Sequence, residues 1–132
     1  MTDTYKYLLY DVSEGIASIT LNRPPVNAIH EAMTDEYFEA LERADNDEDV
    51  KVIILSGKGK GLSAGADLKY LQAFGTDEMA NFLEKFYVEQ VRRVRGLSKP
   101  IIASVHGYAR EGACTMAFTC DMVVASDDSS FG

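Results

Sequence analysis

The sequence lacks the features of a secreted, membrane-spanning or nucleic-acid-binding protein. Its longest uninterrupted apolar runs, 52–55 and 122–125, are far shorter than the roughly 20 residues of a membrane-spanning helix. Residues 1–6 lack the basic and apolar regions of a secretory signal, so we expect a cytoplasmic protein. Acidic residues outnumber basic ones by 21 to 13, a formal net charge of −8. Because this charge repels a phosphate backbone, we predict no nucleic-acid partner, and the short apolar runs predict no membrane partner.

Cysteine is also scarce. Cys114 and Cys120 lie six residues apart in an apolar stretch, which fits neither a CxxC redox pair nor the spacing of zinc ligands. We interpret both as reduced, buried thiols.

The composition indicates one soluble globular domain over residues 1–132, since 46% of the residues are hydrophobic and 26% are charged. β-prone runs alternate with stretches of helical periodicity. The predicted strands are 5–12, 16–21, 52–55, 101–105 and 122–125, and the predicted helices are about 33–45, 66–72, 76–95 and 112–120. This order predicts an α/β fold with mostly parallel strand pairing.

A glycine-rich loop at 57–61 follows the third strand and invites comparison with nucleotide-binding loops. Its spacing fits neither G-x-G-x-x-G nor the phosphate-binding P-loop. Residues 61–65 do match G-x-S-x-G, which makes Ser63 with His106 a candidate serine hydrolase pair. The flexible loop between strand and serine argues against that interpretation.

A further interpretation uses main-chain groups. The N–H groups of Ala66 and Gly112 each come where a loop turns into a predicted helix, so they are free to bind an anion. If the two converged, they would stabilise the oxyanion of a thioester enolate.

Five spaced motifs resemble the enoyl-CoA hydratase/isomerase (crotonase) family, and the resemblance runs from about Tyr5 to Gly132. They are Ile19-Thr20-Leu21-Asn22-Arg23-Pro24, Val26-Asn27-Ala28, Ser63-Ala64-Gly65-Ala66-Asp67-Leu68-Lys69, Lys99-Pro100 with Val105-His106-Gly107-Tyr108-Ala109, and Cys120-Asp121.

The resemblance implies a crotonase-like spiral of ββα repeats, an acyl-CoA substrate, and a homotrimer or dimer of trimers for the full-length protein. It places the two oxyanion-hole donors on Ala66 and Gly112, and it implies no metal and no cofactor other than the coenzyme A of the substrate. The residues it places along the CoA and acyl path are Val26, Ala28, Ala64, Asp67, Leu68 and Lys69. For Asp67 and Lys69, a helix-start acid and a solvated lysine are the alternatives.

Two departures from the family pattern bear on the reaction. Thr115 stands where the hydratases carry a glutamate, and a hydroxyl cannot replace a carboxylate in proton transfer. Glu111, one turn earlier, is a candidate substitute, although an acid at a helix start needs no catalytic role. The segment with the family's other glutamate and its C-terminal helical part falls beyond Gly132, so we expect an incomplete spiral.

The leading hypothesis is therefore an acyl-CoA enzyme whose base lies outside these residues, with double-bond isomerisation or other single-base chemistry favoured at least as much as hydration. The alternative is an acyl-CoA-binding or inert fragment without turnover.

Overall fold

A computed structural model describes residues 5–132. The interpretation of the N-terminus as free of an export signal falls largely on residues 1–4, outside the described residues. The elements, in chain order, are β1 (Leu8–Ser13), β2 (Ile16–Leu21), α1 (Glu31–Asn46), β3 (Val52–Gly57), α2 (Leu68–Leu71), α3 (Thr76–Leu83), a π-helical segment (Glu84–Glu89), α4 (Gln90–Arg95), β4 (Ile101–Val105), β5 (Tyr108–Ala109), α5 (Gly112–Thr119), β6 (Met122–Ala125) and β7 (Ser130–Phe131).

The main sheet has five strands in the order β1-β2-β3-β4-β6. The β1–β2 hairpin is antiparallel, whereas β2, β3, β4 and β6 pair in parallel. A helix lies on each connection between parallel neighbours, as parallel pairing requires. The prediction of an α/β fold with mostly parallel pairing is confirmed.

The core lies between this sheet and the helices. Ile53 and Leu55 of β3 are fully buried, and α1 packs against β1, β2 and α4. The buried side chains of α1 include Met33, Tyr37 and Leu41, spaced four residues apart on one face of the helix. Burial of each side chain of this size stabilises the fold by roughly 1.5–3 kcal/mol.

A second, smaller layer runs beside the main sheet. It contains β5 and β7, which pair in parallel, and two isolated bridges that join Ser63 to Ala109 and Ile29 to Ala66. The sequence pattern predicted neither short strand, because two residues are too few to show a periodicity.

The helix predicted over 76–95 is interrupted by the π-helical segment, which contains Phe86 and Tyr87. Phe86 is buried, and its ring lies against the Cα of Gly112 so closely that a Cβ there would overlap it. The helix therefore covers the beginning of α5. Within residues 5–132, no helix is both long and apolar enough to cross a membrane.

Two predicted boundaries were wrong. The first strand begins at Leu8 rather than Tyr5, and the helix predicted over 66–72 is the single turn α2. The backbone before this turn is held extended, since the N–H of Asp67 donates to the Ile29 carbonyl at 2.8 Å.

Gly107 fixes the contact between the end of β4 and the glycine-rich loop. Its φ is +64°, and a Cβ at this position would overlap the Lys60 carbonyl. Gly59 has a φ of +95° with no atom within 4 Å of its added Cβ. A side chain at either position would be forced into an unfavourable positive φ. Only at Gly107 would its Cβ also overlap other atoms.

We expect Gly59→Ala to lower the free energy of unfolding by about 1–2 kcal/mol, the cost of left-handed backbone. Gly107→Ala should cost at least about 1–3 kcal/mol more, because the Lys60 backbone must also move. Urea unfolding of both variants measures the difference, and equal losses would contradict it.

Candidate functional site

The candidate site is built on three neighbouring segments, 26–29, 62–67 and 108–112. Main-chain hydrogen bonds hold them side by side: Ala64 N–H to Val26 O (2.9 Å), Ile29 N–H to Gly65 O (2.8 Å), Leu62 N–H to Tyr108 O (2.9 Å) and Arg110 N–H to Ser63 O (3.1 Å). The sequence motifs around these residues therefore meet in one place.

Asn27 links the first two segments through its side chain. The Oδ1 atom accepts the Arg23 N–H at 2.7 Å, while Nδ2 donates to the carbonyls of Lys58 at 3.0 Å and Leu62 at 3.1 Å. Only 2% of Asn27 is exposed. These three hydrogen bonds fix the loops relative to each other, because breaking any of them would leave a buried polar group without a partner.

The N–H groups of Ala66 and Gly112 have no hydrogen-bond partner within residues 5–132. They lie on neighbouring segments, each three residues beyond the bridged pair Ser63 and Ala109. The two segments are still in contact next to these N–H groups, since a Cβ on Gly65 would lie 2.9 Å from the Arg110 carbonyl oxygen.

The reason why the Ala66 N–H is free differs from the expected one. Ile29 bonds to the residues on either side of Ala66, so the Ala66 N–H points away from this pairing. It is not part of a helix start, because α2 begins only at Leu68. The Gly112 N–H does open a helix, as predicted.

Ala66 borders a cavity of about 130 Å³. The wall is apolar apart from Glu111 and Tyr87, and an apolar wall with few polar groups is typical of a ligand site. The lining residues are Ile29, Ala66, Leu68, Leu71, Phe82, Leu83, Phe86, Tyr87 and Glu111. A wider groove between α1 and α4, about 290 Å³, borders neither free N–H group.

Glu111 has an unusual backbone, with φ +48° and ψ −116°. Its N–H donates to the Gly132 carbonyl at 2.8 Å, and its Oε1 lies 2.9 Å from where a Cβ on Gly65 would stand. Its carboxylate has no hydrogen-bond or ion-pair partner within residues 5–132. Tyr87 also lines the cavity, and its pKa is raised by burial and then by the Glu111 charge.

Thr115 lies one turn further along α5 and is half-buried. Its N–H donates to the Glu111 carbonyl at 3.1 Å. Within the described residues, Glu111 is the only carboxylate that lines the cavity.

Of the residues predicted along the CoA path, Leu68 lines the cavity, and the other five lie within the chain segments 26–28 and 64–69. Leu68 is 66% and Val26 is 36% exposed. The remaining members are Lys69, which is exposed, and Ala28, Ala64 and Asp67, which are half-buried.

Asp67 has structural partners of its own. Its Oδ2 accepts a hydrogen bond from the Arg23 guanidinium at 2.8 Å, and its Oδ1 caps α2 at the Tyr70 N–H. The pKa of Asp67 is lowered, first by the hydrogen bond from Arg23. Arg23 also donates to the Ala28 carbonyl at 2.8 Å. Arg23 therefore links the motif that contains Ala28 to the motif that contains Asp67.

Ser63 and His106 do not form a catalytic pair. The Ser63 hydroxyl is fully buried, donates to the Asn27 carbonyl at 2.6 Å and accepts the Gly65 N–H at 3.0 Å. His106 instead contacts the Gly59 carbonyl through Nε2 at 2.6 Å. The serine hydrolase interpretation is therefore wrong for this geometry.

Both cysteines are free thiols, as predicted, but only Cys120 is buried and Cys114 is half-buried. Burial raises the pKa of Cys120 to about 12. Within residues 5–132, no group of three or more His, Cys, Asp or Glu side chains is placed to hold a metal ion.

Comparison with known proteins identifies the family. The model of the family Enoyl-CoA hydratase/isomerase matches residues 11–132. The chain belongs to the enoyl-CoA hydratase/isomerase family. A probable enoyl-CoA hydratase of Rhizobium meliloti is 37% identical over 130 residues, which are 98% of this chain and 49% of the relative.

Other members of the enoyl-CoA hydratase/isomerase family give the same picture. The 1,2-epoxyphenylacetyl-CoA isomerase of Escherichia coli is 32% identical over 96% of this chain and 50% of its own length. The crystal structure of an enoyl-CoA hydratase/isomerase from Xanthobacter autotrophicus matches with a TM-score of 0.91 at 38% identity, covering 98% of this chain and 49% of that one. The resemblance and the crotonase fold are confirmed, and the chain spans about half the length of these relatives.

No functional role is predicted from the sequence for Asn27, Arg23 or Tyr87. The first two fall within the family motifs, which offered a signal, but each also has a partner more than 30 residues away along the chain, Lys58 for Asn27 and Asp67 for Arg23. Tyr87 had no local signal, because only the packing of the π-helical segment brings it to the cavity.

We expect Ser63→Ala to lower the free energy of unfolding by about 2–4 kcal/mol, since it leaves two buried main-chain groups unpaired. Ser104→Ala, at an exposed position of β4, is the control and should change it by less than about 0.5 kcal/mol. If Ser63→Ala instead abolished p-nitrophenyl acetate hydrolysis with the fold intact, the hydrolase interpretation would return.

Proposed function

We propose that the whole protein processes acyl-CoA thioesters by stabilising an enolate between the N–H groups of Ala66 and Gly112. The observation that carries the proposal is the pair of unpartnered N–H groups on adjacent segments, one of them bordering an apolar cavity. Main-chain N–H dipoles that are already held in place stabilise a developing oxyanion without having to reorient during the reaction. Family membership supports the same chemistry.

The residues predicted along the CoA path are proposed to bind the substrate. The residues are Val26, Ala28, Ala64, Asp67, Leu68 and Lys69. Lys69 is exposed and positively charged, which suits the phosphates of CoA. Asp67 is proposed to act through Arg23, since its carboxylate is already engaged.

The reaction is proposed to be a single-base enolate reaction, with isomerisation favoured at least as much as hydration. Thr115 supplies no carboxylate to activate water. Coenzyme A within the substrate is the only cofactor proposed, because main-chain N–H groups polarise the carbonyl. We also propose a cytoplasmic location and a trimer or dimer of trimers for the whole protein.

A second candidate is acyl-CoA binding without turnover by these 132 residues alone. The observation that favours association without turnover is a set of exposed apolar side chains on α5 and on β6, the edge strand of the main sheet. Phe118, Met122 and Val124 there are 59%, 55% and 63% exposed, and such surfaces favour association. Size-exclusion chromatography of the 132-residue chain with butyryl-CoA would detect binding without turnover.

We expect the whole protein to isomerise 3-hexenoyl-CoA to 2-hexenoyl-CoA at least as fast as it hydrates crotonyl-CoA. The reason is that moving a double bond needs one base, whereas the hydratases use two carboxylates. Spectrophotometric assays of both reactions at matched enzyme concentration provide the measurement. Faster hydration would contradict the inference from Thr115.

Replacing Ala66 tests the oxyanion hole directly. Ala66→Pro removes the free N–H and should lower kcat/KM by about 10²–10³-fold, the usual cost of one oxyanion donor. Ala66→Gly keeps the N–H and serves as the control, with thermal unfolding of both variants as a check of the fold. Equal activity of the two variants would refute the role of this donor.

A further inference from the structure

Glu111 adopts a backbone conformation that an L-residue avoids. Its φ of +48° combines with a ψ of −116°, outside the left-handed helical region that polar residues tolerate. Such outliers cost on the order of 1–3 kcal/mol and cluster at functional sites. Glycine would adopt this conformation without the cost.

The strained peptide is also the one that carries the free N–H of Gly112. The backbone of Glu111 therefore sets where this donor points. A glycine would set it equally well, so the donor alone does not account for a glutamate here.

The surroundings of the side chain suggest what the glutamate adds. Glu111 lines the same cavity as Ala66, and its Oε1 approaches Gly65, the residue next to that donor. The rest of the wall is apolar except for Tyr87. The carboxylate has no hydrogen-bond or ion-pair partner within residues 5–132, so it is available to a ligand.

We propose that Glu111 is the base that removes the proton next to the thioester carbonyl. The inference rests on the proposed function, and it replaces the expectation that the base lies outside these residues. In this step the carbon–hydrogen bond breaks and an O–H bond forms on the Glu111 carboxylate. The electron pair moves into the new carbon–carbon double bond of the enolate, and the carbonyl oxygen gains the negative charge between Ala66 and Gly112.

The charge balance of this step is favourable. A carboxylate close to the oxyanion hole would oppose a second negative charge. Here the carboxylate becomes neutral as the oxyanion forms, so the net charge of the cavity stays constant.

The test is exchange of the α-protons of butyryl-CoA for deuterium, followed by proton NMR on the whole protein. We expect both Glu111→Gln and Glu111→Gly to slow exchange by at least about 10²-fold, a typical contribution of a general base. Glu111→Gly should also raise the thermal midpoint, because it releases the strained backbone.

Glu14 offers a matched control, since it also has a positive φ, +51°, but lies in the β1–β2 turn. Glu14→Gly and Glu14→Gln should leave exchange unchanged. A purely structural Glu111 would leave exchange intact in Glu111→Gly. If the wild type exchanges and either Glu111 variant stays within threefold of it, the assignment of the base is overturned and the proposed function stands. If the wild type neither binds butyryl-CoA nor exchanges its protons, both fail.

Discussion

The candidate site depends on the side-by-side alignment of three chain segments, and the buried amide of Asn27 anchors that alignment. The side-chain amide bonds to three main-chain groups from two loops. The main-chain carbonyl of Asn27 accepts a hydrogen bond from the Ser63 hydroxyl. Ser63 in turn holds Gly65, so one network extends to the residue before Ala66. Buried polar networks of this kind are rigid only when every member is satisfied. The position of the Ala66 N–H follows from this network.

The other side of the site depends on close packing. The Phe86 ring lies against the Cα of Gly112, and a Cβ on Gly65 would meet Glu111 and the Arg110 carbonyl. Glycine is needed at both positions for steric reasons, and at Gly65 also for its φ of +96°. The π-helical segment contributes Phe86 and Tyr87 to the wall, which fits the frequent occurrence of such segments at functional sites.

A site made from main-chain N–H groups depends on the path of the backbone more than on side-chain identity. A change of side chains that keeps the backbone path therefore keeps both N–H groups in place. This dependence separates the two halves of the proposed chemistry. The proposed oxyanion donors are main-chain groups whose positions follow from the backbone, whereas the proposed proton-transfer group, Glu111, is a side chain, and Thr115 stands where the resemblance places a glutamate.

The sequence by itself determined the α/β class, the mostly parallel sheet and the family. Periodicity and spaced motifs are local, so they can be read along the chain. Only the tertiary structure decided that Ala66 owes its free N–H to the pairing beside Ile29 rather than to a helix start. It also decided that Ser63 is a buried structural hydroxyl and that Glu111 faces a cavity shared with Tyr87. These properties arise from contacts between residues distant in the chain, and no local pattern encodes them.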